Sequence, residues 1–226
     1  MRCPAPAPGL ERDYASGNLL FADKRADRVA RLRAVARRAF AERGYDGASI
    51  RLITSRARAN LGAVTYHFGS KQALYFAVLE DFTIPLREKI TALATASRPA
   101  IDRIGAVIEV YYDQFARFPE FPALVIHELA LGRPLPPPIR DSLKRIQPVL
   151  FQLIADGQRE GSVRPGPPVP IIMSILSQPF YFAMVRRIVG EIVGPEFERP
   201  EFRTHLIQQA VAFVRRGLAP DRRNEA

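Results

Sequence analysis

Apolar residues recur at spacings of three and four along most of the chain, which is the pattern of amphipathic helices. One such helix is predicted over residues 27 to 43, with Val29, Leu32 and Phe40 on one face and arginines on the other. Gly44 follows and suits a left-handed helix end. No stretch alternates apolar and polar positions as a half-buried strand would. The pattern therefore predicts an all-α fold.

Residues 49 to 75 contain three helix starts in close succession. Ser49, Asn60 and Ser70 belong to residue types that cap a helix N-terminus. The second predicted helix is very short, runs to about Tyr66, and is ended by Gly69. Two helices joined by a short turn form a helix-turn-helix, whose second helix enters the DNA major groove. The stretch predicts DNA binding.

The rest of the chain continues the helical pattern. Pro85 is expected to kink or end the fourth helix, because proline lacks the N–H of a helical hydrogen bond. Further helices are predicted over residues 101–117, 121–131, 139–160, 169–193 and 196–218. Residues 1–22 lack periodicity and are rich in proline, alanine and glycine, so we expect a disordered N-terminal arm there. Residues 221–226 form a short tail.

Positive charge is concentrated beside the helix-turn-helix. The whole chain has a net charge of +10, and residues 24 to 58 contain eleven basic residues against three acidic ones. A solvated basic surface is the plain interpretation of such a charge. Its location instead matches the electrostatic footprint of a nucleic-acid binder.

The sequence offers little for catalysis or export. Cys3 is the one cysteine, so no internal disulfide is expected. His127-Glu128 resembles the start of a zinc motif, but position 131 is leucine rather than the second histidine. We expect no enzyme activity, cofactor or metal. Neither a signal peptide nor a membrane span of roughly 18 uninterrupted apolar residues is present, which indicates a cytoplasmic protein that binds no membrane.

Several short runs together resemble the DNA-binding domain of the TetR/AcrR family of transcriptional regulators. They are Arg43-Gly44-Tyr45, Ser49-Ile50-Arg51, Asn60-x-Gly62-x-Val64-Thr65-Tyr66-His67-Phe68 and Gly69-Ser70-Lys71-x-x-Leu74. Residues 174–182 are also similar to the C-terminal domain of the family's CerR-like branch. The resemblance implies a three-helix DNA-binding domain over residues 23–84. It also implies a larger helical ligand-binding and dimerisation domain over residues 85–220, with about nine helices in all.

Two positions depart from the family pattern. Arg58 stands in the turn where glycine is usual, and a left-handed backbone there costs about 1 kcal/mol. In return its side chain would reach a phosphate. Thr54 replaces a small apolar residue, which we expect to weaken the packing of the first motif helix slightly.

The resemblance also implies which residues contact DNA. Thr65 and Tyr66 end the short helix, where the family contacts phosphates, and Lys71 lies in a helix first turn that attracts a phosphate. Ala63 is expected to meet a thymine methyl. His67 is included with them, although a structural role explains it better than the reading of a base. The predicted DNA-binding residues are Arg51, Arg58, Asn60, Leu61, Gly62, Ala63, Thr65, Tyr66, His67 and Lys71.

The larger domain is expected to bind a small, largely apolar effector and to form a homodimer on a palindromic operator, with repression as the predicted outcome. The alternative is a helical protein-interaction module that has lost operator binding. Aromatic residues with polar tips suggest a pocket, although ordinary core packing also explains them: Tyr111, Tyr112, Phe115, His127, Glu128, Gln178 and Tyr181. The predicted dimer interface comprises Ile172, Ile175, Leu176, Phe180, Leu206, Val211 and Val214.

Overall fold

The computed structural model describes residues 10–220, with side chains from residue 25 onward except that of residue 198. These residues form helices and connecting turns, without a strand. The helices are α1 Leu10–Gly47, α2 Ile50–Arg56, α3 Ala63–Phe68, α4 Lys71–Ala94, α5 Ala100–Arg117, α6 Phe121–Ala130, α7 Pro137–Arg159, α8 Pro168–Val193, a 3₁₀ segment Pro195–Glu198, and α9 Pro200–Leu218. The all-α prediction is confirmed.

Helix α1 starts earlier than the sequence suggested. Its backbone is helical from Leu10, so the prediction of a disordered arm is wrong for residues 10 to 22. This stretch contains no proline, so nothing in it prevents an extension of the amphipathic helix. The first nine residues of the predicted arm, and the predicted tail, lie outside the described part. At the other end, Gly44 has a φ of +68° and interrupts α1 where a left-handed residue was predicted.

Two of the three predicted helix caps are confirmed. Ser49 Oγ accepts a hydrogen bond from the Leu52 N–H at 3.1 Å, and Ser70 Oγ accepts one from the Ala73 N–H at 3.0 Å. The prediction that Asn60 caps the next helix is wrong, because α3 begins only at Ala63 and its N-terminus has no side-chain cap. Asn60 participates through its backbone carbonyl, which accepts the Ala63 N–H at 3.1 Å.

The chain divides into two compact units between Val78 and Leu79, slightly before the boundary predicted at residue 84. The first unit is built around side chains from all of its helices. Leu32 and Phe40 of α1, Ile53 of α2, Val64 of α3 and Leu74 of α4 are buried together. Short helices of this size gain their stability mainly from such a shared core.

Helix α4 does not end at Pro85, contrary to one of the two outcomes predicted for it. A proline inside a helix removes one backbone hydrogen bond. The apolar side chains of Phe82, Leu86 and Ile90 in the same helix are buried in the second unit. The free energy gained by burying them offsets the loss of that hydrogen bond. Gln114 Nε2 of α5 also donates to the Phe82 carbonyl at 2.9 Å, which holds this part of α4 in place.

Helix α5 forms the centre of the second unit and packs against α7, α8 and α9. Most of its side chains are buried, including Ile104, Val107 and Ile108. One charged side chain is buried with them. Arg103 Nη2 contacts Asp156 Oδ2 of α7 at 3.0 Å, with 8% and 15% of the two side chains exposed. This ion pair joins α5 to α7 inside the unit.

Candidate nucleic-acid interface

The turn between α2 and α3 has the strained geometry that the sequence predicted. Arg58 has a φ of +52°, which is a rare conformation for a residue with a side chain. The Arg58 N–H donates to the Ser55 carbonyl at 3.1 Å and the Ala59 N–H donates to the Thr54 carbonyl at 2.9 Å. These two bonds close α2 and leave the Arg58 side chain exposed.

Thr54 fits the interior of the first unit better than its polarity suggested. Only 3% of the residue is exposed. Its hydroxyl donates to the Ile50 carbonyl at 2.9 Å, so the buried oxygen has a partner. Since the hydrogen bond is local, Thr54 needs no polar neighbour from another helix, and the cost of burying its hydroxyl is largely removed.

Helix α3 fully buries one of its six side chains, exposes two and leaves three half-buried. Val64 is fully buried and anchors α3 to the core of the first unit. Leu61, Gly62, Thr65 and Tyr66 are exposed around it. Tyr66 is the most open of these large side chains, with 71% of its surface exposed. A short helix held by one buried residue and surrounded by open positions has the form needed to enter a groove.

A wide groove of about 880 Å³ brings the predicted residues together with three arginines of α1. Arg58, Asn60, Gly62, Ala63, Tyr66 and His67 line it, and so do Arg25, Arg28 and Arg31. The guanidinium of Arg25 lies over the Tyr66 ring, 5.5 Å from its centre. The sequence prediction omitted these three arginines, although the basic run from residue 24 contained the signal. Their spacing along one helix is what places them on the same groove.

The remaining predicted contacts lie outside this groove. Arg51, Leu61 and Thr65 are exposed, whereas Lys71 is half-buried. Lys71 Nζ lies 4.6 Å from the centre of the Tyr45 ring and 3.3 Å from the Asp46 carbonyl oxygen, to which it donates. These contacts fix the position of the ammonium, which has three donors and keeps others for a phosphate.

In the second unit, the predicted pocket residues do not form one site. Tyr112 and Phe115 line a cavity of about 160 Å³, but the other five predicted residues do not. Tyr111 is buried in the core, and burial raises the pKa of its hydroxyl above the usual range. Tyr181 does not line this cavity, and 65% of it is exposed on α8. Periodicity did not separate the two faces of this apolar helix.

The residues of the predicted dimer interface are buried or half-buried in the single chain. Ile175 and Val214 are buried within the unit, while Ile172, Leu176, Phe180, Leu206 and Val211 are half-buried. None of them is fully open to a partner. A different apolar stripe of α8 is exposed, together with Phe213 of α9; it comprises Val169, Met173, Tyr181, Met184, Ile188 and Ile192. We name this stripe, with Phe213, the α8 outer face.

Two further findings concern metal binding and membrane spans in the described residues. Among them, no group of three or more histidine, cysteine, aspartate or glutamate side chains is arranged to hold a metal ion. Helix α8 alone among the described helices is long and apolar enough to cross a membrane by length and composition, and one such helix is weak evidence.

Comparison with known families gives two matches along the chain. Residues 32–78 match the family described as "Bacterial regulatory proteins, tetR family". Residues 101–214 match the family described as "Tetracyclin repressor-like, C-terminal domain". The second match covers the α5–α9 region, and its description names no branch, so the similarity of residues 174–182 to the CerR-like branch remains a prediction.

Several relatives of the chain are named as transcriptional repressors. The chain is 35% identical over 136 residues to the HTH-type transcriptional repressor DhaR of Mycobacterium sp. (strain GP1), covering 55% of this chain and 64% of DhaR. It is 26% identical over 148 residues to the repressor KstR2 of Mycolicibacterium smegmatis, covering 59% of this chain and 66% of KstR2. The matched stretch therefore spans slightly less than two thirds of either relative.

Solved structures share the fold over most of the chain. The ketosteroid transcriptional regulator KstR2 of Mycobacterium tuberculosis superposes with a TM-score of 0.70 at 19% identity, covering 85% of this chain and 95% of that one. The putative transcriptional regulator SCO4942 of Streptomyces coelicolor gives a TM-score of 0.58 at 27% identity, covering 84% and 97%. Both have an architecture like that of the chain described above.

Proposed function

The chain belongs to the TetR family of helix-turn-helix transcriptional regulators, and we propose that it is a repressor that binds operator DNA as a homodimer and is released by a small effector. The family consists of regulators rather than enzymes, in agreement with the sequence prediction. The observation that carries the proposal is the arginine-lined groove beside the exposed side of α3.

The groove supplies charge where a DNA backbone would pass. Arg25, Arg28, Arg31 and Arg58 line it, and Tyr66 is the exposed residue of α3 beside them. Each arginine that neutralises a phosphate releases condensed counterions, so binding through this groove depends steeply on salt. Arg58 is well placed for such a contact because its strained backbone points an exposed side chain away from the core of the first unit.

Reading of bases by this protein relies on few polar groups. Leu61, Gly62 and Ala63 precede or open α3, and none of them has a polar side chain. Gly62 lets the backbone approach closely, and Ala63 contacts a thymine methyl in our proposal. Phosphate contacts and DNA shape therefore contribute most of the binding energy, while α3 contributes a limited base preference.

The α8 outer face is the proposed dimer interface and replaces the residues that the sequence suggested. It is a row of exposed apolar side chains along one helix of the second unit, interrupted by the exposed Ser177, and exposed apolar surface of this kind marks an interaction site. Most soluble homo-oligomers have closed symmetry, and a two-fold dimer presents two copies of α3 to DNA. The operator is then expected to contain two inverted half-sites.

Release is proposed to act through α4. This helix contributes residues to both units and contains Pro85. Because a proline removes one hydrogen bond of the helix, α4 bends at Pro85 with a lower energy cost than elsewhere. An effector shifts the conformational equilibrium only if it binds one state more tightly than the other. We propose the cytoplasm as the location, since operator DNA is found there.

Fluorescence anisotropy tests the proposal directly. The full chain is titrated with a duplex from its own upstream region and with a scrambled duplex, each at two salt concentrations. We expect tighter binding to the upstream duplex, weakening as salt rises, and a loss of affinity for Tyr66→Ala. The variant Tyr66→Phe separates the ring from its hydroxyl and serves as the matched control. Tyr66 is largely exposed, so neither change disturbs the core.

The alternative function is a helical protein-interaction module. The apolar character of Leu61, Gly62 and Ala63 favours it, because these positions before and at the start of α3 have no polar side chain with which to select a base sequence. Absence of binding to either duplex at low salt would support this module and contradict the repressor. Equal and weak binding to both duplexes would contradict specific recognition of this upstream region.

A further inference from the structure

An aromatic cavity lies between α5, α8, the 3₁₀ segment and α9 of the second unit. Its volume is about 160 Å³, and its apolar lining consists of Tyr112, Phe115, Ala116, Phe182, Ala183, Phe197 and Phe202. The rings form a connected series. Tyr112 and Phe182 have centroids 5.6 Å apart, Phe182 and Phe197 5.7 Å, and Phe197 and Phe202 5.2 Å. The walls are therefore mutually packed rings rather than loose surface side chains.

The volume sets the size of a ligand. An apolar cavity of about 150 Å³ stays dry and binds benzene. The present cavity is of that size and has aromatic walls, which favour offset or edge-to-face contact with a further ring. One aromatic ring fits, whereas a fused multi-ring system does not fit within the cavity itself. Tyr112 contributes its ring to the wall, and burial raises the pKa of its hydroxyl, so that hydroxyl is neutral at physiological pH.

Two arginines line the same cavity and give it an anionic preference. Arg203 is already engaged by Asp113, with Nη2 and Oδ1 2.6 Å apart. Arg186 is half-buried and also lines a broader groove of about 670 Å³ along α8, so it stands where the cavity meets the groove. A guanidinium has five N–H donors in a planar fork, which allows it to bind a carboxylate in addition to contacts that it already makes.

We propose that this cavity binds a single-ring aromatic carboxylate, with the ring among Phe182, Phe197 and Phe202 and the carboxylate on Arg186. The side chain joining the ring to the carboxylate is short, because Arg186 lines the cavity directly. Such a molecule is the effector in the repressor proposed above, and only this regulatory role rests on that proposal. The binding site itself is independent of it.

Isothermal titration of the full chain with 3-phenylpropanoate tests the site, and 3-phenylpropanamide is the neutral probe of nearly the same shape. We expect the carboxylate to bind about tenfold or more tightly than the amide, as a charge-assisted hydrogen bond implies. Arg186→Gln removes this preference. Arg187→Gln is the matched control, because Arg187 lines the groove but not the cavity and pairs with Glu191.

A second variant tests the location of the ring. Ala183 is buried and lines the cavity, so Ala183→Leu fills the space that the ring would occupy. We expect this variant to lose binding of both probes, with its thermal unfolding measured to confirm that it folds. The proposal is overturned if the unaltered protein binds 3-phenylpropanoate and 3-phenylpropanamide equally, or binds neither. It is also overturned if Arg186→Gln keeps the preference for the carboxylate over the amide.

Operator binding is measured separately by anisotropy, which keeps the two proposals apart. Probe binding by a chain that binds no DNA refutes the repressor and leaves the cavity assignment standing. DNA binding by a chain that binds neither probe refutes the cavity assignment alone. If both hold, the addition of 3-phenylpropanoate is expected to lower the affinity for the upstream duplex, and Arg186→Gln is expected to abolish that effect.

Discussion

The guanidinium carbon of Arg25 lies 5.5 Å from the centre of the Tyr66 ring, which links α1 to the exposed end of α3. A cation over an aromatic face at this distance is attracted to it, by about 0.5–1 kcal/mol at an exposed site. The contact holds Tyr66 beside the groove and leaves the other guanidinium donors available for phosphate. Residues that the sequence separates widely thus act on one surface.

Arg25→Ala is expected to weaken DNA binding and to reduce the slope of log affinity against log salt by about one. The reason is that one phosphate-neutralising charge is removed from the groove. Arg117→Ala, which removes the same charge from an exposed position of the second unit, is the control and is expected to leave both quantities unchanged. Anisotropy titrations over a salt series measure them. An equal loss in both variants would show a general charge effect.

Arg58→Gly is expected to stabilise the chain by up to about 1 kcal/mol, because glycine adopts a positive φ without steric cost. It is also expected to weaken DNA binding, since the proposed phosphate contact is lost. Arg58→Ala removes the same charge while keeping the strained backbone. The two variants should therefore differ in their free energy of unfolding, measured in urea. Their affinities for DNA, measured by anisotropy, should be the same. A glycine variant with unchanged stability would show that the turn stores no strain.

Asp156→Asn is expected to lower stability by roughly 2–3 kcal/mol, because the buried Arg103 loses the charge of its nearer carboxylate and keeps only that of Glu160, 3.7 Å away. Burial by itself would raise the pKa of Asp156. Hydrogen bonds from Gln152, Arg103 and Arg159 outweigh burial and lower the pKa below its ordinary value of 3.8.

A lowered pKa means that the folded chain favours the charged carboxylate more than the unfolded chain does. The stabilisation is therefore present at neutral pH and is lost as pH falls below about 4 through the pKa of the folded state. Urea unfolding of Asp156→Asn should show a shallower loss of stability between pH 5 and pH 3 than the unaltered protein. Asp141→Asn, at an exposed position of the same helix, is expected to follow the unaltered protein.

Gly157→Ala is expected to destabilise the chain by about 1–3 kcal/mol through overpacking. A Cβ at this position would lie 2.5 Å from Cγ2 of the buried Val163. Gly217→Ala is the matched change, because its Cβ meets nothing within 4 Å in helix α9. There we expect a gain of up to about 1 kcal/mol from helix propensity. Differential scanning calorimetry of both variants measures the contrast.

Ile188→Glu is expected to convert the proposed dimer into a monomer, because it places a charge in the middle of the α8 outer face. Ile188 is 60% exposed in the single chain. Leu129→Glu makes the same change on α6, where leucine is 54% exposed, and is expected to leave the dimer intact. Sedimentation equilibrium gives the mass of each species. A dimer that persists in Ile188→Glu would exclude this face as the interface.

The local features of this protein can be predicted from its sequence alone. The caps at Ser49 and Ser70 and the glycine at position 44 act through backbone atoms a few residues away, so they are readable from neighbouring positions. The helix-turn-helix and the basic segment beside it follow from the same short-range information. The strained turn at Arg58 was also predictable, because a recurring motif fixes its backbone.

Features that depend on residues far apart in the sequence follow only from the packing of the helices. Helix α8 is apolar on more than one face, and only its packing on α5 and α7 decides that Ile175 is buried while Ile188 is exposed. Pro85 is retained within α4 because burial of its neighbours offsets the lost hydrogen bond. The aromatic cavity joins Tyr112, Phe182 and Phe202 from three helices. Since burial is a property of the packed whole, periodicity along one helix shows that a face is apolar but not what covers it.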